Sequence, residues 1–351
     1  MPKMISRFKH LKVFFADPDK KSGLTILKEV IHFTYLKKML PTDYFRKFLY
    51  RKDIKNYTEY LSIKEHYSMI ASKNMVFLEI SALLNNKLSF KLICKEQGFP
   101  IPDLISYNFK NIFFFDKKVH TISNKKELVS LFKNILNSDT THKIFFKPIN
   151  GIGGVGCFLV TSQNLEDQIN QYAETVLTNS YIQEKYIEQH TEINKIHPHA
   201  VNTLRLVHYI DHNFTVHILS TFMRFGVGKS ITDNTSTGGF SIAVHCETGR
   251  LEGPGRQEAT RGAAVFNEHP DSKFKLEGFS IPYFKEACAL VKEVAHYFPN
   301  RIVGWDVAIS NKGPVIIEGN HNPGLHVSDI AYGGYGKHPL MKEILNKSKH
   351  K

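Results

Sequence analysis

The 351-residue sequence contains only four cysteines, Cys94, Cys157, Cys246 and Cys288, and no two of them form a CxxC pair. That spacing argues against a zinc ribbon and leaves buried, reduced thiols as the expectation. Apolar runs are also short, none approaching the roughly 18 residues of a membrane-spanning helix. The N-terminal stretch MPKMISRFKHLKVFF interrupts each apolar cluster with a charge and is followed by no small-residue cleavage site. A signal peptide is therefore not expected, and the cytoplasm is the expected location. Internal repeats, low-complexity tracts and long Gly/Ser linkers are absent too, so no linker marks a clean domain edge. What remains is an ordinary globular composition, 42% hydrophobic and 23% charged, long enough for two or three packed units.

The net charge of +13 is unevenly spread. Residues 1–75 carry sixteen Lys and Arg against seven Asp and Glu, a net of +9. Such a segment suits nucleic acid, an anionic membrane surface or a polyanionic substrate, and equally a solvated helical face. From Ser22 to Leu61 the positions Leu24, Leu27, Val30, Ile31, Tyr35 and Leu36, then Tyr44, Phe45, Phe48 and Leu49, recur at helical spacing with a break at Pro41. Residues 1–75 thus read as a basic helical region. Another helix is predicted over Asn85–Gln97, stopped by Gly98 and the prolines Pro100 and Pro102. Two short strands follow, LISYNF and IFFF, and then a helix over Ser123–Leu136.

The stretch FFKPINGIGGVGCFL, residues 145–159, places a lysine ahead of a glycine-rich loop. A Walker loop or a dinucleotide fingerprint would open a helix, and the former ends in Lys-Ser/Thr. Here strand candidates flank the loop at 143–149 and 157–160, and a helix starts only near Asn164, so the glycines form a hairpin tip. Glycine N–H groups approach phosphate oxygens without a Cβ in the way. Protein-kinase signatures of the VAIK, HRD and DFG type are missing downstream. Alone, the loop reads as a nucleotide lid or as a plain turn.

A second constellation is IVGWDVAISNKGPVIIEGNHNPGLH, residues 302–326. DVAIS and PVIIE alternate like strands around the turn Asn311-Lys312-Gly313 and should pair as a hairpin, setting Asp306 beside Glu318 with Asn320 on the same face. Two carboxylates and an amide oxygen form a hard-oxygen set suited to Mg²⁺, which keeps positions open for phosphates.

Lys147 with its GIGGVG loop, the segment YIQEKYIEQH and the Asp306, Glu318 and Asn320 hairpin resemble the ATP-grasp superfamily in the order and spacing of its carboxylate-amine ligases. HPHAVNTLRLV, DNTSTGGFSIAV, the GWD run and EGNHNPG are most similar to its sugar-transfer-associated group. The resemblance covers roughly residues 75–345 and implies an α/β (α+β) ATP-grasp fold. In such a fold two α+β subdomains grip ATP between antiparallel sheets, here with the helical N-terminal region added. It implies an N-terminal subdomain over 76–140, a central nucleotide lid over 141–190 and a C-terminal metal- and substrate-binding part over 191–351.

By the same resemblance, Lys147 and the loop glycines Gly151, Gly153 and Gly154 contact ATP phosphates, and Lys87 is the earlier nucleotide lysine, with Lys91 as its rival. Glu184 takes the adenine amine, Lys185, Tyr186 and Ile187 form the hinge beside it, and Glu192 reaches the ribose. Asp306, Glu318 and Asn320 hold Mg²⁺. The ligases often carry an arginine just before the metal aspartate; here Gly304-Trp305 occupies that place, and Arg205 or Arg224 supplies the cation as a catalytic residue or serves as an ion-pair partner. His197, His199, His321 and His326 are set aside as local hydrogen-bonding residues. DNTSTGG, with Asp233 and Asn234, fits a substrate loop and an Asx turn alike.

The implied chemistry is ATP- and Mg²⁺-dependent activation of a carboxylate as an acyl phosphate, followed by amide formation with an amine. Such chemistry needs charge neutralisation and alignment rather than a Ser or Cys nucleophile. The expected partners are an acidic small molecule or saccharide and an amine, in cell-surface polysaccharide synthesis. Nucleic acid is not expected, and residues 1–75 are the stretch that would touch a membrane surface or polyanion while leaving ATP binding to the rest. Two competing readings are a basic binding protein without turnover and an ATP-grasp phosphotransferase.

Overall fold

The computed structural model describes residues 9–137, 142–151 and 153–349. Helices α1 (Lys9–Ala16), α2 (Gly23–Lys37), α3 (Thr42–Arg46) and α4 (Ile63–Ala71) form the N-terminal region. Ser22 caps α2 by accepting from the Thr25 N–H, and Ser62 with Glu65 forms a reciprocal capping box on α4. The predicted helical character holds for α2 and α3, but Lys47–Leu61 is mostly irregular, with one 3-10 turn over Tyr57–Glu59. The buried face of α2 also differs from the expected one. Ile26 and Phe33 point inward, while Leu24, Leu27, Ile31 and Tyr35 are exposed, the last at 82%. The helix carries apolar residues on two faces, so spacing alone does not say which face packs.

Helices α5 (Leu78–Asn85) and α6 (Lys87–Glu96) follow, parted at Asn86, whose side chain caps α6 through the Ser89 N–H. Gly98, in the left-handed region at φ 74°, stops α6 where the sequence places a stop. No described helix is long and apolar enough to cross a membrane.

The first sheet is six-stranded and antiparallel throughout. It contains β1 (Leu104–Phe109), β2 (Ile112–Phe115), β3 (Lys118–Thr121), β4 (Lys143–Pro148), β5 (Phe158–Thr161) and β6 (Ser180–Lys185), in the order β3-β2-β1-β6-β4-β5. Helices α7 (Lys125–Leu136) and α8 (Leu165–Thr178) cover one face, closing a core with Phe113, Phe132, Phe146, Phe158 and Val176. Strand alternation sends Ile144 and Phe146 into that core and Phe145 and Lys147 to the opposite face. Strands from the expected 76–140 and 141–190 parts therefore build one sheet, correcting that division. Residues 78–99 add no strand to it: Leu84, Phe90, Cys94 and Phe99 pack in the core of the second sheet, and Leu88 packs on the first against Ile149 and Ile182.

That second sheet comprises β7 (Thr203–Ile210), β8 (Val216–Phe225), β9 (Phe240–Val244), β10 (Leu251–Arg256), β11 (Val265–Phe266), β12 (Ile302–Ser310) and β13 (Gly313–Asn320), ordered β11-β10-β9-β8-β7-β12-β13. Helix α10 (Phe284–Ala295) packs on one face, after the single-turn α9 (Thr191–Asn194). Trp305 is wholly buried there, its indole N–H donating to His208 Nδ1 at 2.7 Å. His208 Nε2 in turn donates to the Asn300 carbonyl, which fixes the neutral ring; burial pushes its pKa down to about 4.

The opposite face is split. One half bears charged residues; the other is covered by α4, α11 (Leu325–Tyr332) and α12 (Met341–Lys349) in a core with Leu61, Met69, Val207, Tyr209, Leu219 and Tyr335. Lys47 and Asp329 form a fully buried ion pair at its centre, and Asp329 also accepts from the N–H groups of Leu61 (3.0 Å) and Tyr335 (2.6 Å). Leu61, Met69 and Met75 of the basic N-terminal region are thus built into that core, while Tyr44, Phe48, Leu49 and Tyr50 pack in a cluster of their own with Ala259 and Ala263.

Candidate functional site

A cleft of about 860 Å³ runs between the two sheets. Lys147 reaches it from β4, and its Nζ lies 2.9 Å from Glu184 Oε1; Lys91 Nζ lies 2.8 Å from Glu184 Oε2. All three groups are buried, with Glu184 only 1% exposed. Burial alone would neutralise Glu184, but the two ammoniums hold its carboxyl below the usual range. Burial likewise opposes the Lys147 charge, and Glu184 overcomes it; for Lys91 burial wins, and its pKa is lowered.

One carboxylate shared by two lysines leaves a buried surplus of one positive charge at the wall of the cleft. An anion placed there gains from a low-dielectric surrounding. The same geometry gives Glu184 a task that its place in the sequence does not show: its side chain is the counter-ion of both lysines. Lys185, Tyr186 and Ile187 do line the cleft, and the Ile187 N–H bonds to no described group.

Of the two rival lysines, Lys87 is the one in the cleft. It donates to the Gly151 carbonyl at 2.7 Å and stands 3.6 Å from Glu318, whereas Lys91 lies behind Glu184. Gly151, Gly153 and Gly154 line the opening. A Cβ on Gly154 (φ 72°) would sit 2.8 Å from Asn234 Nδ2, so the lid glycines press against the DNTSTGG loop of the other sheet. Glu192 is not brought to the cleft. It sits on α9, its side chain 47% exposed and paired with Lys195 at 2.7 Å, one turn away.

The floor comes from the second sheet, whose register sets Asp306 opposite Glu318 and Arg205. Arg205 grips both oxygens of Asp306 and donates to the Pro323 carbonyl at 3.0 Å, so each of its three nitrogens is engaged. Arg224 contacts Asp306 at 2.9 Å and Asp233 at 3.3 Å, and it lines the cleft while Arg205 does not. Burial would raise the Asp306 carboxyl; the two guanidiniums hold it well below its usual range. Asp233 accepts from the Thr203 N–H and hydroxyl, anchoring its loop to β7, and burial raises its pKa against the pull of Arg224. Neither alternative offered for this loop foresaw that anchor. Thr203 went unnoticed as well, because only the β7–β8 register aligns it with Arg224.

The hairpin's oxygens suit Mg²⁺ in kind. Among the described residues Glu318 has one ion-pair partner, Lys87 at 3.6 Å, and Asn320 donates its amide N–H to Glu318 at 3.3 Å, leaving its carbonyl oxygen unused by described groups. Asp306, with both guanidiniums on it, is the least available of the three. Cys157 also lines the cleft, but burial raises its thiol pKa, so no thiolate is poised there.

Two sheets closing on a cation-rich cleft, with a glycine hairpin over it and paired carboxylates beneath, define an ATP-grasp architecture. The sugar-transfer associated ATP-grasp family matches residues 73–344, and the chain belongs to that family. No curated protein matches the chain. Among solved structures, it is similar to D-alanyl-alanine synthetase A from Vibrio cholerae at 15% identity and a TM-score of 0.46, over 77% of this chain and 65% of that one. It is also similar to D-alanine–D-alanine ligase from Bacillus anthracis, at 16% identity and a TM-score of 0.44, over 83% and 76% of the two chains. An L-amino acid ligase from Bacillus licheniformis matches at 12% identity and a TM-score of 0.39, over 68% of this chain and 41% of that one. Likeness at this level says nothing of substrate.

Proposed function

We propose that the protein is an ATP- and Mg²⁺-dependent ligase that joins a carboxylate to an amine through an acyl phosphate. The observation that carries this is the convergence, on one cleft, of the Lys91–Glu184–Lys147 triad and lid glycines from one sheet with Arg224, Asp306 and Glu318 from the other. Lys147, Lys87 and the glycine N–H groups would hold the phosphate oxygens. Asp306, Glu318 and Asn320 would hold Mg²⁺, which when bound neutralises charge on the transferring phosphoryl group. Arg224, exposed to the cleft, steadies negative charge on the reacting carboxylate, and Arg205 positions Asp306. The lid glycines against the DNTSTGG loop exclude water, which protects an acyl phosphate from hydrolysis.

For substrates we favour an acidic saccharide and an amino acid or similar amine, in cytoplasmic steps of polysaccharide synthesis, because a +13 chain concentrates acids near its surface. The test is mass spectrometry of reactions holding ATP, Mg²⁺, a uronic-acid glycan and mixed amino acids. Condensation with loss of water is the expected product. A stable phosphorylated product would mean phosphotransfer instead, and salt-sensitive binding without ADP release would mean a basic binding protein.

A further inference from the structure

A second cavity, about 1030 Å³, lies between α1, α3, the β9–β10 edge and α11. It opens on the same face of the second sheet as the nucleotide cleft. The register shows this directly: Arg224 of β8 pairs with Ser241 of β9, and Ser241 pairs with Arg256 of β10. Directly paired residues point to one face, so these three side chains form a row. Arg224 ends it in the cleft, while Ser241 and Arg256 line the cavity. With strands roughly 4.8 Å apart, the two arginines stand on the order of 10 Å from each other at the backbone.

The cavity carries two arginines, Arg46 and Arg256, against one acid, Glu258. Arg46, from α3, lines this cavity half-buried and has no ion pair or hydrogen bond with any described residue. His10 and His326 line it as well. Burial first, then the charges of Arg46 and Lys47, push His326 down to about 3, and burial with Arg46 also lowers His10. Arg256 is paired only with Asp53 at the exposed rim, at 2.7 Å. The single acid on the lining, Glu258, takes up the hydroxyls of Thr235 (2.6 Å) and Thr260 (3.4 Å). A half-buried guanidinium with no protein partner is free to form charge-assisted hydrogen bonds to an anionic ligand. The remaining lining mixes hydroxyls and an amide, from Ser241, Thr260 and Gln257, with the ring of Phe48. That mixture suits a sugar, with hydroxyl edges for the polar groups and an apolar ring face for the aromatic one.

We infer that this cavity is the acceptor subsite: it holds the uncharged rings and a second carboxylate of an acidic oligosaccharide, gripped by Arg46 and Arg256, while the reacting carboxylate lies at Arg224. The inference rests on the ligase reading for the role of Arg224, yet its own content is a binding site. It also gives the N-terminal region a task, since Arg46 and Phe48 come from that region.

The test is calorimetric titration of the full chain, without nucleotide, using tri-galacturonic acid, its methyl ester, the monomeric acid and tri-glutamate. Tri-galacturonic acid should bind about tenfold or more tighter than the ester and the monomer, as expected for charged hydrogen bonds lost singly. Arg46→Gln should cancel that advantage while leaving the melting temperature and ATP affinity unchanged, because Arg46 holds no other group. Arg256→Gln should weaken the trimer alone in the same direction. Equal trimer affinity in wild type and Arg46→Gln, an ester that binds as well as the acid, or a preference for tri-glutamate would each overturn the inference. Trimer binding through Arg46 in a protein that never releases ADP would uphold this subsite and sink the ligase reading alone.

Discussion

The shared carboxylate of Glu184 makes a sharp prediction. In Glu184→Gln the ammoniums of Lys91 and Lys147, now 2.8 and 2.9 Å from the carboxylate, face each other across a neutral amide with no counter-ion in the protein. Removing one partner of a buried ion pair costs about 3–5 kcal/mol, and this substitution strips the partner from two charges, so the upper end applies. The melting temperature should fall by roughly 5–15 °C, given a few degrees per kcal/mol in a chain of this size. Two companion measurements isolate the cause. Adding Lys91→Met to Glu184→Gln removes one of the two orphaned cations and should recover more than half of the loss. Raising the pH should also recover stability: Lys91 already has a folded pKa below its ordinary value, so the unfolded chain holds more protons at that site and stability rises with pH until the unfolded lysine deprotonates. ATP should raise the melting temperature more in the variant than in the wild type, because phosphate oxygens supply the missing negative charge. If Glu184 were instead an adenine acceptor, Glu184→Gln would melt within about a degree of the wild type and lose only nucleotide affinity. That result in thermal denaturation would refute the triad.

Three further outcomes follow from the same contacts. His208, neutral and pushed to about 4, binds fewer protons than the unfolded chain between that value and 6.5, so stability should fall by up to about 3 kcal/mol on acidification from pH 7 to 4, and His208→Gln should flatten the profile measured by melting. Arg224→Ala should reduce turnover at least about 100-fold and, because it leaves buried Asp233 without its cation, should also cost about 3–5 kcal/mol in denaturant titrations, a cost similar to that of Arg205→Ala, which leaves Asp306 only its Arg224 contact; an Arg224→Ala variant that turns over as fast as the wild type would refute its place in the cleft chemistry. Deleting residues 1–75 should give an unfolded or aggregated chain, because it orphans Asp329 and bares Val207, Tyr209 and Leu219; a soluble truncation that binds ATP would show the region to be separable.

Local signals in the chain were legible because their physics is local. Gly98 stops α6, the glycines between β4 and β5 sit at a hairpin tip, and the turn at Asn311–Gly313 folds Glu318 back onto Asp306. What escaped the sequence depends on register and packing between distant segments. Lys91 and Lys87 both follow Asn86 within one helix, and only the tertiary position of Glu184 decides that Lys91 is its partner while Lys87 faces the lid. Glu192 follows the hinge closely in sequence, and only the α9 turn shows that it pairs with Lys195. The apolar stripe of α2 showed the right period on the wrong face, since periodicity fixes an angle around the helix and not the direction of the core. Basic residues 1–75 read as a surface because charge is counted without regard to burial. Lys47, one of those charges, is among the most buried side chains described.

Gly304 and Arg205 together explain the one departure from the ligase pattern. An arginine just before the metal aspartate would have to project from β12 or its approach, but the chain has Gly304-Trp305 there, and Trp305 fills the core on the other face. The cation arrives instead from the neighbouring strand: Arg205 stands opposite Asp306 in the β7–β12 register and folds over Gly304 to reach it. A Cβ at 304 would lie 3.1 Å from Arg205 Nη1 and 2.6 Å from the Pro323 side chain, so any larger residue would displace the guanidinium or the turn that carries Pro323. The glycine is therefore the space that the arginine occupies. Moving the charge to β7 also frees a second arginine, Arg224 on β8, to touch the same carboxylate from the cleft side. Two cations on adjacent strands thus hold Asp306, Arg205 from the strand beside it and Arg224 from the cleft side.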